Sequence, residues 1–276
     1  METTIHIIHE GHNADTGKLD LYDSAESLHG FARAVNLISH AFTHDNEIKE
    51  KLKKQDGFSS EFTGAKRGCF ELSFLITFGN AAIKEHGHSV IADKYWDYFA
   101  AAVNTSVGLE YTPNTAFVKN LIIEKPFIFD QLAEQLESPL EKAHRTIQTR
   151  DAEAVHIYRP RVGDKAVFNY ETYRYISETS KSEVIENWLG NVTKYNLLTG
   201  YGRFFNDQEN CTVPFVIKDF GGRNISAHQA AASSMEEASK DITAGKRNFS
   251  GYAVRDLRRR IKRIEITDIS VLNIDE

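Results

Sequence analysis

The chain has 276 residues, of which 41% are hydrophobic and 26% charged, a balance that excludes a disordered chain and gives enough length for two cores. Its formal net charge of −6 excludes a protein that coats nucleic acid by charge alone, because nonspecific affinity comes from neutralised phosphates. Two cysteines, Cys69 and Cys211, lie far apart without a CxxC partner, which excludes a disulfide framework and a cysteine-built zinc site; both read as small buried apolar residues.

The opening METTIHIIHEGHNAD has no cationic segment ahead of an apolar run, and no uncharged run approaches a membrane span, so a cytoplasmic protein without a membrane partner is expected. TTIHIIH reads as a β-branched strand. Over 21–42, Leu21, Ala25, Leu28, Ala32, Val35, Ile38 and Phe42 recur at steps of three and four, the spacing of a helix with one buried stripe, with Asp20 or Asp23 as its cap. FSSEFTGAKRGCFELSFLITFG breaks at Gly64 and Gly68, resumes as alternation from Cys69, and reads as a hairpin with one face on a core.

Tyr95, Phe99, Ala102 and Val103 return to helical spacing, with Gly108 placed to stop it. Two shorter helices are expected next. Pro126 suits a first turn, and Ser138, Pro139 and Glu141 form the pattern of a capping box. Residues 153–170 read as two strands around VGDK, and SETSKSE at 177–183 as a linker. Beyond it come strands near 187–195, 200–206 and 211–218, an alanine-rich helix over about 226–244, a strand around 248–257, and a last strand in IKRIEITDISVL. Three strands, a helix and two strands are the order of an OB-type barrel. The expected fold class is therefore α+β: an N-terminal α+β domain of unknown role over 1–180, then a small OB-like β-barrel with an inserted helix over 184–276.

At 190–217 the pattern resembles the cold-shock domains, a branch of the OB-like barrels. Gly190, Val192, Tyr195 and Asn196 match that family's first strand, and Gly200, Tyr201, Gly202 and Phe204 its second. Val213, Phe215 and Val216 match the third if Pro214 is an insertion. The chain departs from the family at its stacking residues: Lys194 replaces a Trp, Arg203 a second ring, and Ile217 a His. The resemblance implies a face for single-stranded nucleic acid on which Tyr201 and Phe215 stack on bases and Lys194 and Arg203 meet phosphate or lie flat on a base. The same alternation of large rings also suits a barrel core or a domain interface. The N-terminal part is similar to uncharacterised bacterial proteins, which implies a bacterial origin and no activity.

Charge is unevenly spread, with 20 Lys+Arg against 28 Asp+Glu in residues 1–186 and 13 against 11 in 187–276. Much of the basic surplus lies in RDLRRRIKR, where Arg255, Arg258, Arg259, Arg260, Lys262 and Arg263 read either as a footprint for a nucleic-acid backbone or as a solvated edge that resists aggregation. The histidines of HIIHEGH, His6, His9 and His12, lack the spacing of a zinc helix, and His86 and His88 read as solvated loop residues. Neither GxSxG, a GxxxxGK[ST] loop nor GxGxxG after a strand is present. No cofactor, metal or catalytic residue is expected. The expected function is noncatalytic binding of single-stranded nucleic acid through Lys194, Tyr201, Arg203, Phe215 and the basic run. The alternatives are an interaction subunit that meets a protein partner or a second copy through its acidic N-terminal domain, and a metal-dependent hydrolase.

Overall fold

In the computed structural model, the described residues are 1–49, 52, 55–66, 70–125, 128–177, 180–217, 224–241, 244–255, 259 and 261–271. The chain divides into two compact units, Met1–Ser177 and Glu178–Glu276, and is α+β.

In the first unit, β1 (Glu2–Glu10) leads through a 3-10 turn (His12–Thr16) into α1 (Leu21–Thr43), and the hairpin β2 (Phe58–Lys66) and β3 (Phe70–Phe78) follows. Then come α2 (Asn80–His86), α3 (Ile91–Ser106), α4 (Ala116–Glu124), α5 (Ile128–Ala143), α6 (Arg145–Gln148), β4 (Ala154–Arg159), β5 (Gly163–Phe168) and α7 (Tyr170–Ser177). The strands form one antiparallel sheet in the order β2-β3-β1-β4-β5. Strand residues alternate between faces. Ile5, Ile7, Leu72, Phe74, Ile76, Val155, Ile157 and Phe168 therefore point to one side, where they share a core with Phe31, Val35, Ile38, Tyr95, Phe99, Leu132 and Leu136 of the helices.

Two expectations about the helices need correction. The buried stripe of α1 runs through Ser27, Gly30, Phe31, Ala34, Ile38 and Phe42, and Leu21 at its start is 84% exposed. Asp20 caps it as expected, its side chain accepting from the Tyr22 and Asp23 amides. Ser138 and Pro139 start no helix: they lie inside α5, because the apolar row Leu132, Leu136, Leu140 and Ala143 stays buried past the proline. The core outweighs the hydrogen bond that Pro139 cannot make to the carbonyl four residues back. Pro126 and Cys69 lie outside the described residues, and Cys211 is exposed rather than buried.

At Gly30, α1 and α5 come into close contact. A Cβ there would stand 2.5 Å from the Pro139 carbonyl oxygen and 2.4 Å from the Ala143 nitrogen, so only glycine fits. Nearby, Ser27 Oγ donates to the Ala143 carbonyl at 2.9 Å and satisfies one orphan group at the helix end. Asp97 does the same for a loop. It accepts hydrogen bonds from Tyr111 Oη, the Asn114 amide, and the Thr115 amide and hydroxyl at 2.5–2.9 Å. Burial pushes its carboxyl upward, but the four donors outweigh that and hold it below the ordinary range.

The second unit begins with a two-residue strand β6 (Ser180–Lys181), followed by β7 (Glu186–Tyr195), β8 (Tyr201–Asn206), β9 (Cys211–Ile217), α8 (Ile225–Lys240), β10 (Arg247–Arg255) and β11 (Ile261–Val271). Its order, β11-β9-β8-β7-β10-β6, is closed by a β10–β11 pairing, so five strands form a barrel and β6 adds to the edge of β10. The β9–β11 ladder is parallel. This is an OB-like barrel with a helix between its third and fourth strands. Trp188, Val192, Phe204, Phe215, Phe249, Ile264 and Ile266 fill it.

Gly30→Ala is expected to destabilise the first unit by about 1–3 kcal/mol through overpacking of α1 against α5, measured as a lower urea midpoint with an unchanged denaturant slope.

Candidate nucleic-acid interface

The outer face of the barrel is set by which side chains must go in. On β8 Gly202, Phe204 and Asn206 are buried, which leaves Tyr201, Arg203 and Phe205 half-exposed on the other side. Their neighbours follow from the ladders. Lys194 of β7 pairs with Arg203, which pairs in turn with Pro214 of β9. Phe215 pairs with Ile264 of β11, so one residue earlier Arg263 stands beside Pro214. Lys194, Arg203 and Arg263 thus occupy one row across four strands. The next row along β8 holds Tyr201, Val216 and Glu265, and the row on the other side holds Asn191, Phe205 and Thr212. Rows are spaced by two residues, about 6.7 Å, so the two rings stand about 13 Å apart with the guanidinium between them.

A bulge in β7 helps build this row. The register shifts between Val192 and Lys194, which returns Tyr195 to the interior, where it stacks on Phe215 with centroids 6.0 Å apart. Ser234 of α8 resolves the backbone there. Its hydroxyl accepts from the Val192 amide at 3.0 Å and donates to the Gly245 carbonyl at 2.5 Å. A second anchor is the buried Arg247, whose Nη2 donates to Glu237 Oε1 at 2.7 Å, and that hydrogen bond holds the Glu237 carboxyl below the ordinary range. Tyr195 Oη is also hydrogen-bonded to His228 Nδ1 of α8.

Not every residue expected on the interface is there. Phe215 is fully buried between Tyr195, Phe204 and Phe249, so it is a core ring and not a stacking platform. The physical reason is alternation through the proline: Val213, Phe215 and Ile217 point inward, and Pro214 is a strand residue rather than an insertion. The Ile217 amide donates to Gly200 across the β8 edge, so the amide missing at Pro214 would face β11, one residue before that ladder begins. Arg255 is committed elsewhere. Its two Nη atoms bind both carboxylate oxygens of Glu186 at 2.5 and 2.6 Å, which also holds the Glu186 carboxyl low. Arg259 is exposed with φ 61°, and Lys262 is half-exposed at the start of β11, on the alternate side from Arg263. Arg258 and Arg260 lie outside the described residues. Lys181 Nζ donates to Glu265 Oε2 at 2.5 Å, which offsets the carboxylate beside the Tyr201 row.

Phe205 is a half-exposed ring of this face that sequence reading missed. Its signal was its position two residues beyond Arg203 and four beyond Tyr201, on the same face. Lys246 Nζ lies 5.9 Å from its ring centre and binds Asn191 Oδ1 at 3.1 Å and Asp207 Oδ1 at 2.5 Å.

The first unit offers a histidine and carboxylate cluster on the sheet face opposite its core. His6 Nδ1 is hydrogen-bonded to Glu71, and Ser73 Oγ lies 3.3 Å from the same nitrogen. A nucleophile triad needs the serine and the acid on different ring nitrogens, so this trio is not one. His156 faces Asp164 at 3.0 Å and Glu10 at 3.3 Å. His86, expected in solvent, is buried and stacks on Phe42 at 4.3 Å, its Nε2 donating to the Phe42 carbonyl at 3.2 Å. Among the described residues no group of three His, Cys, Asp or Glu is placed to hold a metal ion, and no helix is long and apolar enough to cross a membrane.

A family model described as a domain of unknown function, DUF7946, matches residues 5–177. The chain belongs to that family. The matched DUF7946 region coincides with the first unit and stops before the barrel begins. No curated protein and no solved structure matches the chain.

The two rings should separate by experiment. Phe215→Ala is expected to cost the barrel about 3–5 kcal/mol in urea unfolding, and Tyr201→Ala less than about 0.5 kcal/mol, as suits one core and one surface ring.

Proposed function

We propose that the barrel of this DUF7946 protein binds single-stranded nucleic acid, without catalysis, across the outer face of β8 and its neighbours. The observation that carries the reading is the row of Lys194, Arg203 and Arg263 between the half-exposed rings of Tyr201 and Phe205. Bases have π faces that stack on rings regardless of sequence, and a planar guanidinium serves the same purpose. The cold-shock-like placement of Gly200, Tyr201 and Gly202 agrees with this reading, with Phe205 taking the part that Phe215 cannot.

Fluorescence anisotropy with labelled poly-dT and poly-U 12-mers between 50 and 300 mM salt tests it. Three phosphate contacts give a slope of log K against log salt near −2, at about −0.7 per phosphate for single strands. Lys194→Ala with Arg203→Ala should bring the slope to about −0.7, and Tyr201→Ala should weaken binding by about 1–3 kcal/mol with the slope unchanged. Absent or salt-independent binding overturns the reading.

A second reading, an interaction subunit, is favoured by the turn between β7 and β8, where Leu197 and Leu198 are 58% and 86% exposed. Exposed apolar residues next to a ligand face suit a protein contact. Light scattering after size exclusion checks it: an oligomer that dissociates on Leu197→Ser with Leu198→Ser supports this alternative, and a monomer at all concentrations leaves nucleic-acid binding in front.

A further inference from the structure

His9 ends the inward row of β1 behind Ile5 and Ile7, at the rim of the sheet where the 3-10 turn lies against β1 and β3. It is fully buried, and neither ring nitrogen has a hydrogen-bond partner among the described residues. Phe70 of β3 and Val155 of β4 flank it in register, and the Phe70 ring meets it edge-on at 5.2 Å. A buried polar ring without hydrogen bonds costs free energy that a leucine or phenylalanine in its place would not. What imidazole adds at such a site is the ability to take up a proton near neutrality.

Among the described residues only the Phe70 backbone favours a proton on this ring in the closed state, and burial outweighs it. Glu10, Glu71 and His156 stand on the opposite face of the sheet by alternation. Asp15 of the turn is exposed and accepts from the Gly11 amide at 2.7 Å, Asp151 accepts from Asn13 Nδ2 at 2.7 Å, and His12 is exposed. Glu153, ahead of β4, is exposed with its side chain against Gly11, and none of these charges shifts the His9 ring. The 3-10 turn lies beside this end of the sheet, next to β1 and β3. Ala14 is fully buried, and its amide is shared between the Gly11 and Asp151 carbonyls at 3.1 and 3.0 Å.

We propose that His9 is a proton-operated latch: on taking up a proton the ring leaves the core, and the 12–16 turn lifts from the end of the sheet. Burial lowers the His9 pKa from 6.5 to about 4, an effect only partly offset by the nearby Phe70 backbone, which lies outside hydrogen-bond geometry. The sign follows. Above about pH 6.5 the ring is neutral in closed and open forms, and the latch is fully engaged. As pH falls from 6.5 towards 4 only the open form gains the proton, so its population rises about tenfold per pH unit, to a limit of about 300-fold. This inference concerns the first unit and is independent of the barrel's ligand.

The test is amide hydrogen exchange on the full chain at pH 7.5, 6 and 5, with protection corrected for the chemical exchange rate. Protection of the Ala14 and Gly17 amides should fall about tenfold between pH 6 and 5, while the Ile5 and Ile7 amides in mid-strand stay protected. His9→Leu and His9→Phe, which differ in how well they fill the site, should each abolish the fall. Protection of the turn that stays constant with pH, a fall that persists in both variants, or an equal loss at Ile5 and Ile7 overturns the latch.

Discussion

The ring of Phe215 occupies the space that a side chain at position 202 would need. A Cβ on Gly202 would lie 2.2 Å from that ring, closer than any real contact allows. This one approach fixes the parity of β8. With Gly202 and Phe204 turned inward, Tyr201, Arg203 and Phe205 have only the outer face left, and the cross-strand ladders carry that choice to Lys194, Pro214 and Arg263. The candidate interface is thus a consequence of core packing, because period-two alternation leaves no third option.

The strand and helix order of the barrel was legible because each strand alternates and α8 is rich in alanine. The side of each strand was harder to read. Phe215 looked like a ligand ring because the resemblance to the cold-shock third strand took Pro214 as an insertion, whereas Pro214 is part of β9 and its missing amide falls where the β9–β11 ladder has not begun. The basic run was legible as charge and not as availability, since Glu186, which holds Arg255, comes 69 residues earlier in the chain. In the first unit, Ser138, Pro139 and Glu141 carried a local start signal that the buried leucines of α5 override. Local preferences of that kind are worth about 1 kcal/mol, less than continuous burial of an apolar row.

The first unit places its chemistry differently. Its sheet separates ionisable side chains by face, with His6, Glu71, His156 and Asp164 on one side and a core of rings on the other. Buried histidines sit among those rings as neutral planar groups, as His144 shows: it stacks on Phe168 at 4.2 Å, is hydrogen-bonded to the Leu140 carbonyl at 2.6 Å and the Thr172 hydroxyl at 2.9 Å, and is held near a pKa of 4 by burial. His9 shares the burial but lacks those hydrogen bonds, which is the difference between a structural ring and a labile one.

Ser234 links three parts of the barrel through a single oxygen: the helix that carries it, the bulged strand whose amide it receives, and the segment before β10 whose carbonyl it contacts. Deleting that oxygen strands a donor and an acceptor together, and a bulkier residue has Gly245 in its way, since even that glycine has no room for a methyl group beside the Ser234 backbone. A small polar residue on a helix, away from the row of Lys194, Arg203 and Arg263, thus sets the geometry of that row, since without its oxygen the bulge in β7 loses the group that holds it.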